Sequence, residues 1–212
     1  MIFGQRFGSV HPLLYALLPN KAGSTYRNLF TTIRPLNGNL APALFSRDYE
    51  IAIITEFLRA FPNANIGGCL FHLSQNIQKH VRELHLQQMY DNDARINLHV
   101  RMIEALAFIP PDNVIEAFEV LEEYVDVSLE PLVEYFEDNY IGRRHRRGRK
   151  TPRFKIEWWN VYERTLALEP WTNNNAEAGF RRLQSEFGWA HPTFWKFIRG
   201  IQGQHVTRDL RV

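Results

Sequence analysis

Apolar residues recur at helical spacing over much of this chain, and proline or asparagine marks the places where the rhythm stops. Tyr26, Leu29, Phe30 and Ile33 share one face of a helix expected over residues 22–33. Ile51, Ile54, Leu58 and Phe61 repeat the stripe over 48–61, and Leu73, Ile77, Val81 and Leu84 do so again after the GGCLF segment. Shorter apolar runs separate these helices. VHPLLYALL at 10–18, closed by Pro19-Asn20, reads as a buried strand, and LAPALF at 40–45 as another, weakened because Pro42 has no ladder donor. A further strand ends at GGCLF. Strand and helix in alternation predict an α/β sheet with its functional groups at strand ends.

The middle of the chain follows a different pattern. Ile96, Val100, Ile103 and Ala107 form a stripe that stops at Pro110-Pro111. Asp112 is placed to cap a second helix carrying Val114, Phe118, Leu121 and Val125. Leu129, Val133, Phe136 and Tyr140 mark a third, with Pro131 in its first turn. Three amphipathic helices with no strand between them predict a helical insertion in the α/β domain. Two more helices are expected over 173–187 and 192–204, and all five tryptophans fall in the last 55 residues.

Composition narrows the classes. A chain of 212 residues, 45% of them hydrophobic, is long enough to bury a core without a covalent staple. The single cysteine, Cys69, excludes an internal disulfide and any zinc site needing two thiolates. No apolar run approaches the ~20 residues of a membrane span, and no signal-peptide pattern opens the chain, so a soluble protein of a reducing compartment without a membrane partner is expected. The net charge of +2 conceals blocks of charge. Residues 1–47 hold five cations (Arg6, Lys21, Arg27, Arg34, Arg47) and no acid. Residues 102–142 hold eleven acids and no Lys or Arg, and seven cations then crowd into RRHRRGRKTPR at 143–153.

Four features carry candidate chemistry. Asp48 follows the 40–45 run and opens a helix, where it either caps that helix or offers a carboxylate to a divalent cation. Cys69 and His72 form a Cys-x-x-His pair at a strand–helix junction, too few ligands for structural zinc, and taken alone they read as a buried thiol and a capping histidine. In WTNNNAEAGFRR at 171–182 the asparagines suit a helix start, and Glu177 sits at the edge of the apolar face. It either points into a cleft or pairs with Arg181 at i,i+4. The basic run supplies Arg143, Arg144, Arg146, Arg147, Arg149 and Lys150 as phosphate contacts. It reads equally as a loop neutralised by the acidic helices before it, or as a nuclear-targeting segment.

HPLLYALLPNKAGSTYRNLF, GGCLFHLSQNIQKHV, ALAFIPP, NYIGRRHRRGR, WNVYERTLALEPWTNNNAEAGFRRLQSEFG and HPTFWKFI, in this order, resemble the catalytic domain of Mutator-like element (MULE) transposases. The likeness runs from about residue 8 to about residue 203. It implies a ribonuclease-H-like mixed sheet with a large helical insertion before the last catalytic helix. The core would occupy 1–87 and 171–212, and the insertion with its basic loop 88–170. It also implies DNA as partner, a nuclear location, and DNA cleavage and strand transfer by two aspartates and a glutamate holding Mg²⁺ or Mn²⁺. Self-association into a homo-oligomer stays open. Asp48 matches the second aspartate and Glu177 the glutamate, Cys69 and His72 match a Cys-x-x-His motif near the active site, and Arg181 joins the basic loop in contacting DNA. The family's first aspartate has no counterpart, because no acid precedes Asp48. The first strand is therefore expected to be missing and catalysis incomplete. The alternative is a domesticated DNA-binding or protein-interaction module without catalysis.

Overall fold

A computed structural model describes residues 2–6, 9–36, 38, 40–172 and a few positions between 178 and 202. Glu177, and most of the helices expected over 173–187 and 192–204, lie outside the described residues. The protein is mixed α/β and mostly helical, with three two-stranded sheets among the described residues. It forms two compact units, one of residues Leu18–Thr172 and one of Met1–Leu17 with Asn173–Val212.

In the unit that contains the N-terminus, β1 (Ile2–Arg6) and β2 (Ser9–Leu14) form an antiparallel hairpin. The run at 10–18 is therefore not one buried strand. Pairing stops at Leu14, residues 11–18 all keep solvent exposure, and Leu13 is 64% exposed.

The larger unit starts with α1 (Gly23–Ile33) and α2 (Ile51–Ala60), joined through β3 (Leu44–Arg47). Tyr26 and Phe30 of α1 pack against Ile53, Ile54 and Phe57 of α2, with Phe61, Ala64 and Ile66 completing this smaller core. β3 begins later than the 40–45 run suggests, because Pro42 cannot donate to a ladder. It pairs in parallel with β4 (Asn65–Gly68), Leu44 opposite Asn65 through Arg47 opposite Gly68. The α2 crossover between them is the βαβ unit that strand–helix alternation predicts.

From β4 the chain turns directly into α3 (Leu70–Glu83), whose Leu73, Ile77 and Val81 are fully buried. They join a second, larger core with α5 (Ala94–Ala105), α6 (Val114–Tyr124) and α7 (Glu130–Phe136). The short α4 (Gln87–Asn92) precedes α5, and Asp93 caps α5 by accepting from the Arg95 and Ile96 amides. Asp112 does not cap α6. It lies in a tight turn, Pro111–Asn113, that Pro110-Pro111 imposes, and Asn113 takes the cap position. The last turn of the α7 rod widens to a π geometry over Glu137–Ile141, which buries Tyr140 and Ile141.

After a small hairpin, β5 (Arg144–His145) and β6 (Gly148–Arg149), two short helices close the unit, α8 (Ile156–Trp159) and α9 (Tyr162–Leu166). Among the described residues Trp159 is the largest fully buried side chain, and its indole N–H donates to the Tyr140 carbonyl at 3.2 Å. Trp159→Ala should cost about 3–5 kcal/mol, from lost transfer energy plus a residual cavity. Chemical denaturation monitored by far-UV circular dichroism measures it. A loss under 1 kcal/mol would mean that the indole is not the keystone of the larger core.

Candidate functional site

Asp48 is the first residue after β3, at the end of the strand where α/β sheets place their chemistry. It is not a helix cap. α2 starts three residues later, with Glu50 at the cap position, and the Glu50 amide donates to the Asp48 carbonyl at 2.8 Å. The neighbouring β4 delivers Cys69 at the same end, and the first turn of α3 swings His72 back over it. His72 Nδ1 stands 3.2 Å from Asp48 Oδ1, with the carboxylate side chain 43% exposed. Cys69 is completely buried, and its carbonyl accepts from the His72 and Leu73 amides. The candidate aspartate and the Cys-x-x-His pair, separate in sequence, thus meet at one strand edge.

Two residues that the sequence did not single out complete this edge. The Tyr49 hydroxyl is buried with no hydrogen-bond partner among the described residues. It rests on Gly68, where an added Cβ would stand 2.6 Å from that hydroxyl and 2.6 Å from the Trp158 carbonyl. Burial raises the Tyr49 phenol well above its ordinary value, and the nearby Cys69 and Asp48 add to this while Arg164 opposes it. The Arg164 guanidinium reaches back from α9 to donate to the Gly68 carbonyl at 2.7 Å and to the Pro170 carbonyl at 3.5 Å. Burial lowers its pKa, against the pull of Tyr49, Cys69 and Glu169. Arg164 is the one Lys or Arg between Lys155 and Arg181, which is the only trace it leaves in the sequence. The Leu70 amide donates to the Trp171 carbonyl at 2.9 Å, so the chain passes this edge just before Thr172.

The basic loop divides its cations. Arg149, with only 11% of its side chain exposed, donates to Glu137 at 2.6 Å and to Glu119 at 3.0 Å, and lies over the Phe118 ring. Arg144 joins it on Glu119 at 3.0 Å, and Arg143 pairs with Asp138. Gly142 makes the turn into the loop with φ of 91°, and a Cβ there would meet the Lys150 carbonyl. Arg146 and Arg147 occupy the exposed two-residue turn between β5 and β6. They and the exposed Lys150 make no ion pair with the described residues. Pairing with the acidic helices thus accounts for Arg143, Arg144 and Arg149, while Arg146, Arg147 and Lys150 present their charge to solvent. Arg181 is helical and exposed, and its i,i+4 neighbour Glu177 is outside the described residues.

Among the described residues no three His, Cys, Asp or Glu side chains converge as a metal site. Asp48 supplies the hard oxygen that Mg²⁺ favours, but buried Cys69 is a soft donor, so the described donors fit that ion only if a further carboxylate joins them. No protein-family model, curated protein or solved structure matches this chain.

Two expectations follow from this geometry. Gly68→Ala should destabilise the unit by about 1–3 kcal/mol, because the Trp158 carbonyl and Tyr49 ring must both move; equilibrium unfolding reads the loss, and an unchanged midpoint would contradict the close approach. The second concerns pH. The hydrogen bond from Arg149 leads in holding the Glu119 carboxyl below its ordinary 4.5, helped by the charges of Arg144 and Arg149. A depressed folded pKa means that this stabilisation is present above the ordinary value and lost as pH falls through the folded one. Amide-exchange protection across 143–150 should therefore collapse in acid, and Arg149→Met should return the Glu119 carboxyl titration toward 4.5. An ordinary Glu119 titration in the unsubstituted protein would refute the pairing.

Proposed function

We propose that this chain is a Mutator-like transposase domain with a ribonuclease-H-like core, a nuclear DNA-binding protein whose candidate metal ligands are Asp48 and Glu177. The observation that carries the reading is the meeting of Asp48 with Cys69 and His72 at one end of a parallel strand pair. The resemblance implies that grouping, and residues 20 and more apart have no local reason to adopt it. One further feature supports it. The Arg146-Arg147 turn offers exposed charge suited to phosphates, which position a protein on DNA without reading bases.

Asp48 and Glu177 would hold Mg²⁺ or Mn²⁺, and such an ion supplies activation of an attacking water or 3′-hydroxyl and stabilisation of the leaving oxygen. Asp48 itself remains half-exposed and orientable by His72, and Arg164 steadies the backbone on which Cys69 is mounted. With no acid in residues 1–47, the pair lacks a third carboxylate from that part of the chain. Binding without efficient cleavage is the expected behaviour of the purified protein.

Paramagnetic broadening by Mn²⁺ tests the site directly. Resonances around Asp48 and His72 should broaden selectively, and both Asp48→Asn and Glu177→Gln should abolish the effect while the fold persists. Broadening that ignores both substitutions would overturn the assignment. With DNA and either ion, the unsubstituted chain should bind without robust strand cleavage, and cleavage removed by Asp48→Ala would show the carboxylate set to be complete.

A further inference from the structure

The acid-free N-terminal block is not explained by the strand-edge site. Two of its cations, Arg27 and Arg34, come together with Arg59 on the α1–α2 face, around an open depression of about 560 Å³ also lined by Phe30, Thr31 and Pro35. Glu56 is the one carboxylate there. It is 6% exposed, whereas Arg27 and Arg59 are 56% and 55% exposed. Arg27 donates to it through Nε and Nη2, both at 3.0 Å, and Arg59 through Nη1 at 3.0 and 2.9 Å. Arg34 is exposed in the turn that ends α1 and makes no ion pair with the described residues.

This arrangement goes beyond a helix–helix tie. One arginine would neutralise Glu56, so the second leaves a surplus positive charge and Arg34 adds another. The buried carboxylate cannot itself meet a ligand, but it fixes two guanidinium forks whose remaining N–H groups are open to solvent. Preorganised forks lose less side-chain freedom on meeting an anion, and guanidinium geometry matches phosphate oxygens. The depression lies within the range of small-molecule pockets, yet it is open rather than enclosing. An extended polyanion suits it better than a single captured nucleotide.

We propose that Arg27, Arg34 and Arg59, organised by Glu56, form a second DNA-backbone contact that takes phosphodiester groups independently of base sequence. The inference rests on the DNA-binding part of the function proposed above, and adds a surface separate from the Arg146-Arg147 turn.

The experiment is a salt titration of binding to a duplex of arbitrary sequence, with Arg34→Ala, Arg34→Ala/Arg59→Gln and Arg146→Ala/Arg147→Ala compared with the unsubstituted protein. Arg59→Gln leaves Glu56 paired with Arg27, and thermal unfolding checks that each variant folds. Each lost phosphate contact lowers the slope of log K against log salt by about 0.9. Arg34→Ala should remove about one such step and the double variant about two, equally on an unrelated duplex. If the turn variant flattens the slope and folded Arg34→Ala and double variants do not, the α1–α2 face is no contact while DNA binding stands. If the unsubstituted chain shows no salt-dependent affinity, DNA binding and this surface fall together. A parallel titration with inorganic phosphate follows the Arg34 side-chain resonance. Saturation below millimolar phosphate, undisturbed by duplex, would make the ligand a small phosphate compound and overturn the proposal.

Discussion

Burying the Leu73–Ile77–Val81 face of α3 holds the candidate site in place, because the same helix that anchors the larger core also carries Cys69 and His72 at its start. Full burial of three branched apolar side chains contributes roughly 1.5–3 kcal/mol each, far more than any single polar contact at the strand edge. The axis of α3 is set by that packing, and its first turn is set with it. His72 meets Asp48 because β3 and β4 are parallel neighbours and α3 follows β4 with no loop between them. The polar geometry of the site is thus a by-product of apolar packing elsewhere.

One electrostatic device occurs twice in the larger unit. Glu56 gathers Arg27 and Arg59, and Glu119 gathers Arg144 and Arg149. Burial separates their roles. Arg149 is nearly enclosed, stacked on Phe118 and shared with Glu137, so its charge is spent within the protein. Arg27 and Arg59 keep more than half of their surface in water, and there the carboxylate is the enclosed partner. The same ion triad ties a hairpin to acidic helices in one place and displays cations in the other.

Much of this was legible in the sequence wherever period and length agreed. The stripes through α1, α2, α3, α5 and α6 appear as helices with the expected residues inward. Errors came where local chemistry outweighed pattern. Pro42 delays β3, Pro110-Pro111 takes the cap from Asp112, and α4 is too short to show a period. At the site, Asp48, Cys69 and His72 could be picked out because strand-end carboxylates and ligand-type pairs have a recognisable context. Tyr49 and Arg164 could not, because their roles depend on contacts with Gly68, and in Arg164's case that contact crosses 96 positions. The basic run had three readings from sequence, and the ion pairs of Arg143, Arg144 and Arg149 with the acidic helices account for part of it by one of them.

The Arg164–Gly68 contact also sets an order of events during synthesis. β3, α2 and β4 are local neighbours and can pair as soon as they leave the ribosome. α8 packs against β4, and the final carbonyl of β4 is met by Arg164, both made long afterwards. Between them come the helices that build the larger core, and contacts across so long a loop form late. The nascent chain therefore leaves these β4 contacts unmade while α4 to α7 are translated and packed. A ribosome pause between Gly68 and Arg164 would prolong that interval and leave the end of β4 open to a foreign strand for longer.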